Sequence, residues 1–134
     1  MTRKKAGILP LKATPEQLAL LAAKAADEKR ARDIVILDLR GISIVTDYFV
    51  IADAETEVQV RAITNGILER LKERGIESVR REGWEDARWV LLDLGDAVVH
   101  VFRTEDREYY DLERLWGDAP KLVLAGDELV LAER

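Results

Sequence analysis

The sequence predicts an α/β domain in which helices flank a mixed β-sheet. Two segments with helix-capping signals alternate with short, β-branched apolar segments, and an apolar hairpin follows them. The chain has 134 residues and is 48% hydrophobic, a length and composition that suit one hydrophobic core. We expect a flexible basic lead over residues 1–13, one α/β domain over residues 14–120, and a C-terminal extension over residues 121–134 that forms a small hairpin.

Two long helices are predicted from their start signals. Thr14 and Gln17 have the spacing of a capping box, and Thr56 and Gln59 repeat it. We expect Gly75 to end the second helix, because glycine adopts the left-handed conformation that closes helices. Apolar residues at helical spacing follow each start signal, namely Leu18, Leu21, Ala22 and Ala25 in the first helix and Val60, Ile63, Ile67 and Leu71 in the second.

The remaining segments are assigned from composition and turn residues. Residues 34–39 and 48–52 are β-branched apolar runs typical of buried strands, and residues 78–82 form a short third strand. Residues 107–116 are predicted to form one or two irregular helical turns. Two short apolar runs around Gly126-Asp127 predict the terminal hairpin.

The most informative segment is the hairpin of residues 88–94 and 97–102 around Gly95-Asp96. Glycine at the first central position suits a type II′ turn, which makes residue 94 face 97 and residue 90 face 101. One side of the hairpin is then wholly apolar and belongs to the core, with Val90, Leu92, Leu94, Ala97, Val99 and Val101. The other side is mixed and carries Trp89, Leu91, Asp93, Val98, His100 and Phe102, with Trp89 opposite Phe102.

Composition excludes several classes of function. The net charge of −5 argues against nonspecific binding to a phosphate backbone, which needs a basic surface. The chain has no cysteine, so disulfides, thiolate metal sites and cysteine nucleophiles are excluded. No apolar run has the length of a membrane span, and no signal-peptide core follows the first five residues, so we expect a cytoplasmic protein without a membrane partner.

Enzymatic sites are weakly supported. His100 is the only histidine, and a packed or interface role is favoured over catalysis or metal binding, although Asp93 is placed diagonally across the hairpin to orient it. Residues 41–43 and Asp47 are similar to the Gly-Ser turn and first acid of nucleotidyltransferases. Phe49 holds the place of the second acid, so the metal-binding pair is missing. We therefore predict neither catalytic residues, nor a metal, nor a cofactor.

The mixed side of the hairpin is better interpreted as a protein-docking surface than as an enzymatic site. Trp, Phe and His beside acidic residues are typical of such surfaces, and burying Asp93 and His100 in a core would leave polar groups to satisfy. Trp84 and Trp116 fit a core equally well, and the acids of residues 105–113 fit either a solvated face or a docking rim. The predicted partner-binding residues are Trp89, Leu91, Asp93, His100, Phe102, Tyr110 and Trp116.

Five segments resemble the ribosomal silencing factor family RsfS, also called Iojap or YbeB-type proteins. The resemblance covers about residues 15–120 in order, leaves out the lead and the terminal hairpin, and departs at Ala97, where valine is usual. The matching segments are residues 33–39, 43–51, 82–83, 89–102 and 107–116.

The resemblance implies a function as well as a fold. Members bind the large ribosomal subunit through ribosomal protein L-fourteen, block association with the small subunit and repress translation when nutrients are limiting. Organellar relatives take part in large-subunit maturation, so an assembly role is an alternative, as is a nucleotidyltransferase. The implied fold is a mixed sheet related to nucleotidyltransferases but without their catalytic acids. Some members crystallise as dimers, so a homodimer of the free chain stays open.

Overall fold

The computed structural model describes residues 13–77 and 79–132. The predicted flexible lead lies outside the described residues except for Ala13, and stays a prediction. The elements follow one another as α1 (Pro15–Glu28), β1 (Arg32–Asp38), β2 (Tyr48–Ala54), α2 (Glu57–Glu73), β3 (Arg80–Glu82), β4 (Trp89–Asp93), β5 (Ala97–Arg103), α3 (Thr104–Tyr110), α4 (Leu112–Leu115), β6 (Lys121–Ala125) and β7 (Glu128–Leu131).

Within the described part of the chain, seven strands form one mixed sheet in the order β3-β4-β5-β2-β1-β6-β7. The central strands β2 and β5 are parallel, and the other neighbours are antiparallel. The predicted α/β class with a mixed sheet and flanking helices is confirmed. The terminal hairpin forms as predicted, and because β6 pairs with β1 it extends the same sheet.

The capping signals fix the ends of the long helices. At α1 both halves of the capping box form between Thr14 and Gln17. At α2 only one half forms, because the Gln59 side chain accepts from the Thr56 hydroxyl instead of the Thr56 backbone N–H. Gly75 ends α2 with φ of +80°, and its N–H donates to the Lys72 carbonyl.

The central hairpin has the predicted register. Val90 pairs with Val101 and Trp89 with Phe102, while Gly95 has φ of +89°, as the first central residue of a type II′ turn requires. A slip of one residue would have exchanged the two sides of the hairpin. The turn therefore determines which side chains enter the main core.

The sheet buries apolar side chains on both of its sides. The side predicted to be core packs against α1 and α2, and the hairpin residues on it are fully buried apart from the partly buried Leu94. The mixed side carries a second, smaller core built on Leu37, Ile51, Phe102 and Leu112, with Trp89 and Trp116 packed against it. The short helices α3 and α4 thus cover part of the mixed side, which the sequence alone predicted to be an exposed docking surface.

Candidate protein-docking face

The mixed side of the sheet gathers aromatic residues from three strands and from the segment of α3 and α4. We call this group the aromatic face, and it consists of Phe49, Trp89, His100, Phe102, Tyr110 and Trp116. Alternation along the strands places the first four on one side of the sheet, since residues two positions apart share a side. The last two reach the sheet because α3 and α4 fold back over it directly after β5.

The rings form one connected cluster, in which His100 also contacts Trp89 and Phe102, at 5.9 and 6.2 Å between ring centroids. Trp89 packs against both Phe102 and Tyr110, at 4.8 and 4.7 Å between ring centroids. Phe49 packs edge-on against His100 at 4.4 Å and against Trp116 at 5.9 Å. These separations are typical of favourable aromatic pairs, so each ring holds its neighbours in place.

Burial divides the predicted partner-binding residues. Phe102 is fully buried and His100 is 4% exposed, which corrects the expectation that they lie on an open surface. The physical reason is the cover formed by α3 and α4, which places Tyr110 over this part of the sheet. Trp89, Leu91, Asp93 and Trp116 are half-buried, and Tyr110 is 49% exposed.

His100 is held as a neutral side chain. Its Nδ1 accepts a hydrogen bond from Trp89 Nε1–H at 3.1 Å, and burial lowers the pKa of His100 to about 4. Asp93 does not orient it, contrary to the diagonal contact considered from the sequence. The Asp93 carboxylate instead accepts from the Gly95 N–H at 2.9 Å and lies 3.7 Å from the Arg80 guanidinium. The histidine therefore supports Trp89.

The depressed pKa of His100 predicts a pH-dependent stability. An unfolded histidine titrates near 6.5, so between about pH 6.5 and pH 4 the unfolded chain binds more protons than the folded one. The free energy of unfolding should fall by about 2 kcal/mol between pH 7 and pH 5 from this group alone. Urea unfolding at both pH values should show this loss in the wild type and not in His100→Asn, which keeps an acceptor oxygen for Trp89. An equal loss in both proteins would contradict the assignment.

A buried ion pair fastens the covering helices to the sheet. The Arg107 guanidinium lies 2.6 Å from an Asp53 carboxylate oxygen and 2.8 Å from one of Glu113. The Thr104 hydroxyl also donates to Asp53, at 2.7 Å. Burial opposes the charge of Arg107, but Glu113 and Asp53 outweigh it and raise its pKa. One side chain of α3 thereby joins β2 to α4.

The position of the missing second acid lies inside the aromatic face. Phe49 occupies it and packs against His100 and Trp116, while Asp47 is bonded through its backbone N–H to the Asp96 carbonyl at 3.0 Å. Over residues 13–77 and 79–132, no group of three or more potential ligand side chains is arranged to hold a metal ion. At this position Phe49 packs as part of the aromatic face.

The structure adds exposed apolar residues that the sequence reasoning missed. On α3 and α4, Tyr109 is 80% and Leu115 72% exposed, and in the loop before β2, Ile44 and Val45 are exposed. The sequence held one signal for Tyr109. Adjacent aromatic residues on a helix point about 100° apart, so Tyr109 and Tyr110 could not both be buried by one contact.

In the described residues, no helix is both long and apolar enough to cross a membrane.

Comparisons with known proteins agree on one family. The family model described as "Ribosomal silencing factor during starvation" matches residues 12–133, which includes the terminal hairpin. The ribosomal silencing factor RsfS of Bacillus subtilis is 54% identical over 100 residues, covering 75% of this chain and 85% of that protein. A crystal structure from Bacillus halodurans superposes with a TM-score of 0.70 at 46% identity, covering 80% of this chain and 97% of that one.

A more distant relative carries a different name. The mouse protein called "Mitochondrial assembly of ribosomal large subunit protein 1" is 33% identical over 92 residues. The match covers 66% of this chain and 40% of the mouse protein. Sequences similar to this chain thus include one named for assembly of a ribosomal subunit.

Proposed function

The chain belongs to the RsfS family of ribosomal silencing factors, and from this we propose that it binds the large ribosomal subunit through ribosomal protein L-fourteen and blocks subunit association. It would thereby repress translation in the cytoplasm when nutrients are limiting. The names within the family point to a ribosome-associated regulatory factor rather than an enzyme. The proposed action needs no cofactor.

The observation that carries the proposal is the aromatic face with its acidic surroundings. Trp89 and Trp116 are half-buried and Tyr110 is half-exposed, so a partner can complete the burial of three large rings. Aromatic residues that are partly preburied and rigidly packed are typical binding hot spots. Burial of the rings would supply most of the binding free energy.

Charge indicates the kind of partner. The net charge is −5, and the acids of residues 105–113 fall into two groups. Glu105 and Asp106 pair with Arg88 and Glu113 pairs with Arg107, so these have structural partners. Glu108 and Asp111 line the cleft beside Arg107 and are available to attract a basic protein surface. A ribosomal protein with a basic patch fits this pattern.

The proposed mechanism is occupancy. A stable protein interface covers about 800 Å² of each partner, and the covered surface of L-fourteen is lost to the small subunit. Blocking therefore requires one bound molecule for each large subunit and no chemical step. We expect the same contact to be inaccessible in ribosomes whose subunits have already joined.

A second candidate function uses the same contact. The name of the mouse relative supports a role in assembly of the large subunit, where the chain would bind precursor particles instead of mature ones. The two functions differ in which particle is bound, so co-sedimentation with precursor and mature large subunits discriminates them. A nucleotidyltransferase would show metal-dependent transfer in an activity assay, and Phe49 in place of the second acid disfavours it.

We predict that the purified chain prevents subunit joining at near-stoichiometric amounts. Separated subunits mixed with the protein should remain separate in gradient profiles, because the docked protein covers the contact surface. Preformed 70S ribosomes should be unaffected and should not retain the protein. Undiminished joining at saturating protein would disprove the steric mechanism, and retention on intact 70S ribosomes would show that another surface of the subunit is used.

A further inference from the structure

The loop between β1 and β2 carries an aliphatic tip that the described residues leave largely exposed. Ile44 is 103% exposed, Val45 82% and Ile42 44%. We call these three residues the aliphatic tip. Scattered single apolar residues on a surface are ordinary, but three within four positions of one loop form a patch.

The loop presents this tip in a defined conformation. The Leu39 N–H donates to the Asp47 carbonyl at 2.8 Å and closes the loop at its base. Within the loop, the Ile42 and Ser43 N–H groups donate to the Leu39 carbonyl, and the Val45 N–H donates to the Ser43 hydroxyl at 3.1 Å. The loop is thus ordered before any partner binds, so binding costs little further conformational entropy. This favours a contact role for the aliphatic side chains over accidental exposure.

The loop lies at the same end of the sheet as one border of the aromatic face. The Asp47 N–H donates to the carbonyl of Asp96 in the β4–β5 turn, and Asp93 lies on the strand that enters this turn. Two residues after the loop base, Phe49 belongs to the aromatic face itself. A partner that covers this face and extends toward the turn therefore reaches the loop.

Charge around the tip indicates what it contacts. Residues 41–46 carry no charge, and the acids Asp47, Asp93 and Asp96 lie beside the loop or its neighbouring turn. Arg40 precedes the tip, but its guanidinium is paired with both Asp38 oxygens at 2.9 and 2.8 Å. The surroundings are complementary to a surface where an aliphatic depression is bordered by lysine or arginine side chains.

We propose that the aliphatic tip is a second docking element, which inserts into an aliphatic depression on the same basic protein that occupies the aromatic face. The inference rests on the proposed function and adds a separate contact to it. Two contacts at a distance from each other fix the orientation of the bound molecule as well as its affinity. The orientation decides whether the protein obstructs the small subunit.

The test compares the double variant Ile44→Ser/Val45→Ser with Val58→Ser in the full chain. Val58 is 74% exposed at the start of α2, beyond the opposite end of β2, and so is a matched control. Binding to isolated protein L-fourteen should weaken at least about tenfold in the double variant, because two aliphatic side chains lose their burial. Val58→Ser should bind as the wild type does. Melting temperatures of both should stay near the wild-type value, since all three side chains are exposed.

The outcomes separate this inference from the proposed function. If Trp89→Ala weakens binding and the double variant binds normally, the partner uses the aromatic face alone and the inference is overturned. If the wild type does not bind L-fourteen or large subunits at all, the proposed function fails instead. If the wild type sediments as a dimer, the double variant as a monomer, and both bind L-fourteen equally, the tip contacts a second copy of the chain and the inference is again overturned.

Discussion

Trp89→Ala should weaken binding to isolated protein L-fourteen by about thirtyfold or more, which corresponds to about 2 kcal/mol. Trp89 is central to the aromatic face, because its ring packs at a tilt against Phe102 and Tyr110 and its Nε1–H donates to His100 Nδ1. Its loss would remove one of the two half-buried indole rings of the aromatic face and loosen Tyr110 beside it. Because Trp89 is only half-buried, the accompanying loss of stability should be below the 3–5 kcal/mol typical of a buried tryptophan.

Trp84→Ala provides the matched control for this prediction. Trp84 is also half-buried, but its ring contacts the guanidinium groups of Arg61 and Arg81, and Arg61 lies on the long helix α2. The variant Trp84→Ala should lower the melting temperature without changing the affinity for L-fourteen. If Trp89→Ala melts the fold while the remaining folded protein binds normally, Trp89 is a core residue and the aromatic face is not the docking surface. An equal loss of affinity in Trp84→Ala would show a general effect of destabilisation.

The parts of the fold that the sequence predicted correctly are those that local chemistry decides. The α1 start follows from the reciprocal bonds of Thr14 and Gln17, and the hairpin register follows from Gly95 at the turn. Once the register is fixed, alternation determines which side chains share a face. The composition of the aromatic face on the strands could therefore be predicted from residues 89–102 alone.

How deeply the rings of the aromatic face are buried could not be predicted in the same way. It depends on α3 and α4, which are seven and four residues long and too short to be stable without tertiary contacts. Asp111 separates them with φ of +48°, a left-handed conformation that is uncommon for non-glycine residues although aspartate adopts it more readily than most. Arg107 and Asp53 are 54 positions apart in sequence, and no periodicity links them. The burial of His100 and Phe102 follows from this long-range contact.

Arg107→Met should lower the free energy of unfolding by about 3–5 kcal/mol, the range for removing one partner of a buried ion pair. Asp53 is 2% exposed and would keep its hydrogen bond from Thr104 and a longer contact, at 3.8 Å, with the half-exposed Arg32 guanidinium. A carboxylate would therefore be left buried with its main counter-ion gone. The same substitution removes the ion pair with Glu113, which attaches α4 to α3. Chemical denaturation at constant pH measures the effect directly.

Arg88→Met is the matched control, because Arg88 also pairs with two carboxylates, Glu105 and Asp106, but its side chain is 52% exposed. Exposed pairs contribute at most about 1 kcal/mol, so this variant should remain close to the wild type. In a double-mutant cycle, adding Asp53→Asn to Arg107→Met should cost less than the two single effects together, since the buried charge is removed with its partner. If Arg107→Met is no more destabilising than Arg88→Met, the ion pair does not hold the cover on the sheet. The rings of Tyr110 and Trp116 would then be held over the sheet by packing alone, and the contact surface that they offer a partner would not depend on the ion pair.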